Sequence, residues 1–267
     1  MTAATVLAAA PAAAHDAALA ELLDPHTRWR IAGLDDWTGA RCLQVGAGGG
    51  SIAGWLADRA GPDGSVVAAD REPGRIRAHP RLTTVAYDLA GPGPWPEPMA
   101  GPFDLIVARL MLAHLPRRRA ILHRLAQRLT RGGVVLVEAW LAPPVDLQVI
   151  AAPTVAAADL YRRYQHAAGA VSDQAGTDLG WARHLHTALR EEGLVNVDTV
   201  IHGRYWAGGD AGLRVVAAVA EQLRPRLLAG SAVTERQLDD LGELLFDPRL
   251  IVYGHLLYSA SGRRAGT

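Results

Sequence analysis

Glycines alternate at positions 46, 48 and 50 of the segment LQVGAGGG. Glycine tolerates positive φ and lets a ligand come close to the backbone. A helical pattern, Ser51–Arg59, follows directly and would aim unpaired N–H groups and a positive dipole end at the turn. Asp70 lies 20 residues beyond Gly50 and ends the next apolar run. A carboxylate so placed accepts hydrogen bonds from ribose hydroxyls. The set points to a nucleoside-type cofactor at the carboxyl ends of parallel strands. The glycines alone would also suit a plain tight turn.

Other chemistries lack their residues. All 27 basic residues are arginine, so there is no lysine nucleophile or Schiff base. Cys42 is the one cysteine, which rules out an intrachain disulfide or a cysteine-built zinc site. His184 and His186 lie two apart on a predicted helix and point about 200° apart, a poor metal pair. There is no H-E-x-x-H and no carboxylate cluster with metal spacing, so no metal is expected. No Asn-Pro-Pro-Tyr-like motif of nucleic-acid amino methylation is present either. Formal net charge is +0, with Arg117–Arg119 as a local basic run. That leaves no basic surplus for phosphate neutralisation, so no nucleic-acid partner is expected. No 18-residue uncharged apolar stretch suits a membrane span, and no membrane partner is expected. The alanine-rich start lacks a basic region and is broken by Pro11, so residues 1–16 read as a flexible tail and not as a signal peptide. A single cysteine fits a cytoplasmic location.

The elements that must position this chemistry alternate. Short apolar runs fall at 41–46, 65–70, 82–88, 103–108 and 134–139. Helical patterns fall at 51–59 and 117–131, the second stopped by Gly132-Gly133. Such alternation implies a parallel sheet, and continuous apolar runs imply strands covered on both faces. Further helices are expected at 17–33 (one or two, over the sheet), 154–168, 178–192, 213–228 and 234–246. Further strands are expected at 195–202 and 250–259.

LQVGAGGGSIAGWLA, VVAAD, YDL and FDLIVARLMLAHLPRRRAILHRLAQRLTRGGVVLVEAW closely resemble class I S-adenosylmethionine-dependent methyltransferases. They look most like the bacterial small-molecule, natural-product group. The resemblance covers about residues 40–140 strongly and the remainder weakly. It implies an α/β, Rossmann-like fold: a seven-stranded, mostly parallel sheet with helices on both faces, an antiparallel last strand and a helical cap. One methyltransferase domain is expected over 17–267, with the cap drawn from 17–38, 141–177 and 207–247.

The resemblance also implies roles. Gly46, Ala47 and Gly48 pass under the methionine and ribose of S-adenosylmethionine, and Gly50 completes the cofactor-binding turn. Asp70 takes the ribose hydroxyls and Arg71 flanks the adenine. Asp88 accepts from the adenine amino group and Leu89 lies beside the base. Ala108 and Arg109 border the methionine and sulfonium. Asp88 would equally cap a loop, and Arg109 would equally pair with a structural carboxylate. One departure stands out: the family has Asp or Glu where this chain has Gln44. That acid receives the methionine ammonium, and glutamine keeps the acceptor but loses the charge. A charge-assisted bond contributes about 1.5–3 kcal/mol and a neutral one about 1, so cofactor binding should weaken by about tenfold without being abolished.

Methyl transfer from a sulfonium needs alignment, and needs a base only when the acceptor must lose a proton. His114, just past the fourth strand, is the catalytic candidate; a histidine packed in a first helical turn is the plain alternative. In the expected lid, Tyr161 and Tyr164 share a helix face, with His166 nearby. Together with Trp140, Tyr205 and Trp206 they would line an acceptor pocket or simply pack as core. The expected reaction is methyl transfer to an O, N or C atom of a small organic acceptor in secondary metabolism, with a homodimer left open. The alternatives are a pericyclase-like enzyme that keeps the cofactor without methylating and a non-catalytic cofactor-binding module. A nicotinamide oxidoreductase is disfavoured by the YDL and FDLIVAR segments.

Overall fold

The computed structural model describes residues 12–91 and 93–266. In chain order these form α1 (Ala12–Leu34), β1 (Arg41–Val45), α2 (Ser51–Arg59), β2 (Ser65–Asp70), β3 (Leu82–Ala86), β4 (Phe103–Arg109), α3 (Arg118–Ala126) and β5 (Leu129–Leu141). There follow α4 (Val145–Gln148), β6 (Val149–Ala151), α5 (Val155–Gln174), α6 (Leu185–Glu191), β7 (Val195–His202) and β8 (Tyr205–Ala207). Last come α7 (Ala211–Ala229), α8 (Glu235–Leu244), β9 (Ile251–Tyr253) and β10 (Leu256–Arg263). Of the tail expected over 1–16, residues 1–11 lie outside the described residues, and 12–16 are already helical.

The chain divides into two compact units rather than one. The sheet unit comprises Asp24–Trp140, Gly180–His202 and Leu257–Thr267. Its seven strands run in the order β3-β2-β1-β4-β5-β10-β7. The first five pair in parallel and β10 pairs antiparallel with β7. The order reverses direction at β1, between β2 and β4, where an open α/β sheet leaves a crevice at the carboxyl ends of its strands.

Both faces of the sheet's central strands are covered, while the edge strands β3 and β7 are partly exposed. Cys42, Val66, Ala68, Leu105, Val107, Val134 and Leu136 form one core with Ile31 of α1 and with Ile52, Ala53, Leu56 and Ala57 of α2. The α2 residues recur at i, i+1, i+4 and i+5, a stripe that faces the sheet. On the strands, even positions of β1 and β2 and the matching positions of β4 and β5 share that face, because strand side chains alternate. The alternate set, including Leu43, Val45, Ile106, Val135 and Val137, is also fully buried, so these strands read as continuous apolar runs.

Of the described residues, the helical unit comprises 12–23, Leu141–Leu179 and Gly203–Leu256. The segments 17–23, 141–177 and 207–247 assigned to a cap fall here, whereas 24–38 belong to the sheet unit. α5 packs against α7 and α8, and a three-stranded antiparallel sheet, β6-β9-β8, accompanies them. No described helix is long and apolar enough to cross a membrane.

Candidate cofactor site

β1 ends at Val45 and the chain turns through Gly46, Gly48 and Gly50, with φ of 65°, 55° and 77°. These left-handed angles cost a residue with a side chain about 1–2 kcal/mol. Space forbids a side chain as well: a Cβ on Gly46 would stand 2.9 Å from Met111 Cβ, and one on Gly50 would stand 2.6 Å from Ile76 Cγ2. The turn is tied to β2. Gly46 and Ala47 N–H donate to the Ala69 carbonyl, and Gly48 N–H donates to Asp70 Oδ2 at 2.9 Å. α2 then starts without a side-chain cap, which leaves its first amides and dipole facing the turn. Gly50→Ala should lower stability by at least about 1–2 kcal/mol; an unchanged thermal midpoint would show that the turn tolerates a side chain.

Asp70 and Asp88 stand at the carboxyl ends of neighbouring parallel strands, Asp70 closing β2 and Asp88 two residues past β3. Asp70 Oδ1 also accepts from Glu72 N–H at 3.0 Å. Each carboxylate oxygen of Asp70 thus holds one amide and keeps a second lone pair for a hydroxyl. Asp88 is exposed, and its Oδ1 caps Ala90 N–H at 2.9 Å. Leu89 beside it is buried, and Arg71 is exposed.

Gln44 is 1% exposed, and its Oε1 has no hydrogen-bond partner among the described residues. By strand alternation Gln44 shares a sheet face with Cys42, as do Arg109 at the end of β4 and Glu138 in β5. Sequence reasoning missed what α1 brings to this face. Asp24, Thr27 and Arg28 recur at i, i+3 and i+4. Asp24 Oδ1 accepts from Arg109 Nη1 at 2.8 Å and from Ser51 Oγ at 3.1 Å, while its Oδ2 accepts from Arg28 Nη2 at 3.1 Å. The Arg109 head group is therefore held by a carboxylate. Thr27 Oγ accepts from Arg109 and donates to Glu138 Oε2 at 2.6 Å. Ser259 Oγ donates to Glu138 Oε1 at 2.8 Å, and Arg30 donates to Ser261 Oγ and pairs with Asp198. Burial raises the Glu138 pKa against the opposing pull of Thr27, Arg109, Ser259 and Arg30. A lone Glu in the apolar run VVLVEAW was the available signal for this network.

Past β4, Leu110 adopts a left-handed φ of 54° and its N–H donates to the Glu138 carbonyl. A short 3-10 turn, Leu112–His114, follows. Part of His114 is solvent-exposed, yet the protein crowds the rest of the ring. That desolvation lowers its pKa, Arg118 lowers it further, and a hydrogen bond to the Leu110 backbone opposes both. Ala108, 1% exposed, pairs with Val45 immediately before the glycine turn.

The residues expected to line an acceptor pocket do not share one environment. Tyr161 and Tyr164 are core residues of the helical unit, 1% and 2% exposed. Gln165 donates to the Tyr161 hydroxyl, the Tyr164 hydroxyl donates to the Val216 carbonyl, and burial raises both phenol pKa values. Of the two readings open for them, pocket lining or core packing, their burial is that of core: the face they share is the one α5 turns inward. His166 is exposed on the same helix. Tyr205 is 60% exposed and meets Tyr253 edge-on at 5.7 Å, whereas Trp206 is buried against Gly212 and Gly254. Trp140, near the end of β5 in the sheet unit, is half-buried. A cleft of about 280 Å³ lined by Gln127, Arg131, Glu192 and Arg264 lies at the amino end of β5 and β7, the wrong end of the strands for this turn. Burial raises the Cys42 thiol to about 12, which makes it inert.

Residues 17–199, more than half of the chain, match the family model described as a methyltransferase domain. The chain is 32% identical over 136 residues to nocamycin O-methyltransferase of Saccharothrix syringae, covering 49% of this chain and 48% of that one. It is 34% identical over 103 residues to trans-aconitate 2-methyltransferase of Methylobacterium nodulans, covering 37% and 38%. The chain thus spans about half the length, or less, of the curated relatives it matches. Among solved structures, a cyclopropane-fatty-acyl-phospholipid synthase-like protein of Lactobacillus casei superposes with a TM-score of 0.57 at 16% identity, covering 98% of this chain and 97% of that one. At that identity the likeness speaks for the fold alone. With the glycine turn at the reversal point of a seven-stranded sheet and the match over 17–199, the chain belongs to the methyltransferase-domain family, class I in fold, with S-adenosylmethionine as its cofactor.

Proposed function

We propose that this chain methylates an O, N or C atom of a small organic acceptor, in secondary metabolism and in the cytoplasm. The observation that carries the reading is the turn of three left-handed glycines with Asp70 bound to Gly48, set at the crevice between β2, β1 and β4. The residues fit the cofactor. The left-handed turn at Gly46, Gly48 and Gly50 exposes backbone for a ligand to approach, Asp70 keeps lone pairs for two hydroxyls, and Gln44 Oε1 is a buried acceptor awaiting a donor. When bound, S-adenosylmethionine supplies an electrophilic methyl on a sulfonium whose sulfur leaves as a neutral thioether.

In this reading Gly46, Ala47, Gly48 and Gly50 support the methionine and ribose. Asp70 orients the ribose, with Arg71 at the adenine. Asp88 uses the oxygen not engaged by Ala90 for the adenine amino group, and Leu89 packs on the base. Ala108 and Arg109 border the methionine. His114 takes the proton of an acceptor hydroxyl onto its imidazole. Natural-product chemistry is favoured by the match to nocamycin O-methyltransferase, and a nucleic-acid acceptor is disfavoured by the balanced charge. Incubation with methyl-labelled S-adenosylmethionine and a panel of phenolic, carboxylic and amine pathway intermediates should yield a labelled product one methylene heavier than its acceptor. Absence of label in every acceptor, with the cofactor bound, would overturn methyl transfer.

A further inference from the structure

An amino-acid ammonium buried without a counter-charge is costly. Position 44 offers it only a neutral amide oxygen, on a residue 1% exposed and without a hydrogen-bond partner for that oxygen among the described residues. Charge must then come from another residue on the same face of the sheet. Among the described carboxylates of that face, Asp70 is held by the Gly48 and Glu72 amides and assigned to the ribose, which leaves Glu138 and Asp24. Glu138 is committed: Thr27 and Ser259 donate to its two oxygens, and burial disfavours its ionised form.

Asp24 differs. Its side chain is 7% exposed and bridges the start of α2 to the end of β4. On one side it binds Ser51, the first residue of α2 and the neighbour of Gly50. On the other it binds Arg109, which follows Ala108, the register partner of Val45. Asp24 and Arg109 together present one anion and one cation, the complement of an α-amino-acid zwitterion. Such a ligand brings both charges, so the pair can open onto it without change in net charge, while Arg28 stays on Oδ2.

We propose that Asp24, from α1, supplies the anionic partner of the cofactor's α-ammonium that Gln44 lacks, with Gln44 Oε1 as the neutral second acceptor. The proposal rests on the reading that this chain binds S-adenosylmethionine. It makes Asp24 a binding residue and gives the second half of α1 a place in the site.

The test is calorimetric and needs no turnover. S-adenosylhomocysteine and its analogue lacking the α-amino group are titrated into the full chain. Wild type should prefer the amine-bearing ligand by about tenfold. Asp24→Asn should lose about tenfold for that ligand and little for the analogue, which collapses the preference. Gln44→Glu in the Asp24→Asn background should restore it. Should Asp24→Asn fail to fold, Asp24→Ser, which keeps a partner for Ser51, carries the same comparison. Equal losses for both ligands, or a preference that survives the removal of Asp24, would overturn the proposal. A wild-type chain that binds neither ligand would overturn the cofactor reading beneath it.

Discussion

Glu138→Ala should lower the stability of the sheet unit by about 2–6 kcal/mol, because two buried hydroxyls lose their acceptor at about 1–3 kcal/mol each. The carboxyl group binds Thr27 of α1 and Ser259 of β10 and faces Arg109 and Arg30. Without it two hydroxyls lose their acceptor in a dry layer, while Arg109 and Arg30 keep Asp24 and Asp198 as partners. Glu138→Gln keeps an acceptor for one hydroxyl and should cost less, about 1–2 kcal/mol. The sign of the pH dependence follows from the raised pKa. The protonated acid contributes fully below its ordinary value of 4.5, and that contribution is lost as pH rises through the folded value. The glutamine variant should therefore show a flatter stability profile above pH 4.5. Urea unfolding and amide exchange along Asp24–Leu34 read both effects. An alanine variant within about 0.5 kcal/mol of wild type would mean that the network does not hold α1 to the strands.

What the sequence disclosed was what lies close together along it. α2 and β2 fall where the patterns put them, because Gly50, Gly61 and Gly64 punctuate them and a stripe or an unbroken apolar run fills each one. The glycine turn, Asp70 and Asp88 were readable for the same reason. Reading failed where tertiary structure overrides pattern. The helix expected over 117–131 ends at Ala126, because Leu129 is already strand, paired with Phe103. The helix expected over 178–192 is a 3-10 turn at Trp181–His184 followed by α6. The strand expected over 250–259 breaks at Gly254, where a Cβ would stand 2.4 Å from the Trp206 ring, and its halves join different sheets. Asp24, Thr27 and Glu138 were missed because their partners lie 85 and 111 residues apart, beyond any spacing rule. The two tyrosines of α5 show the converse: helical spacing says that residues share a face, but not whether that face looks inward.

His114→Ala should reduce turnover by at least tenfold, and by up to about 10²-fold for an acceptor whose proton is hard to remove, with affinity for S-adenosylhomocysteine unchanged. The argument rests on position and on charge state. The residue sits in the turn leaving β4, beside Met111, which closes over Gly46. Leu110 holds a left-handed backbone at a cost of about 1–2 kcal/mol, and that backbone fixes the group that hydrogen-bonds His114. Desolvation and the Arg118 cation lower its pKa from 6.5, so the imidazole is neutral, and able to accept a proton, at pH 7. A base whose pKa is lowered keeps working as pH falls, until the folded value is reached. The acid limb of kcat should accordingly lie below pH 6.5 in the wild type and vanish in the alanine variant. Arg118→Ala removes one cause of the lowering and should move the limb upward. A His114→Ala enzyme with the turnover and acid limb of the wild type would leave the histidine as a packing residue, and the acceptor would then be a group that needs no base.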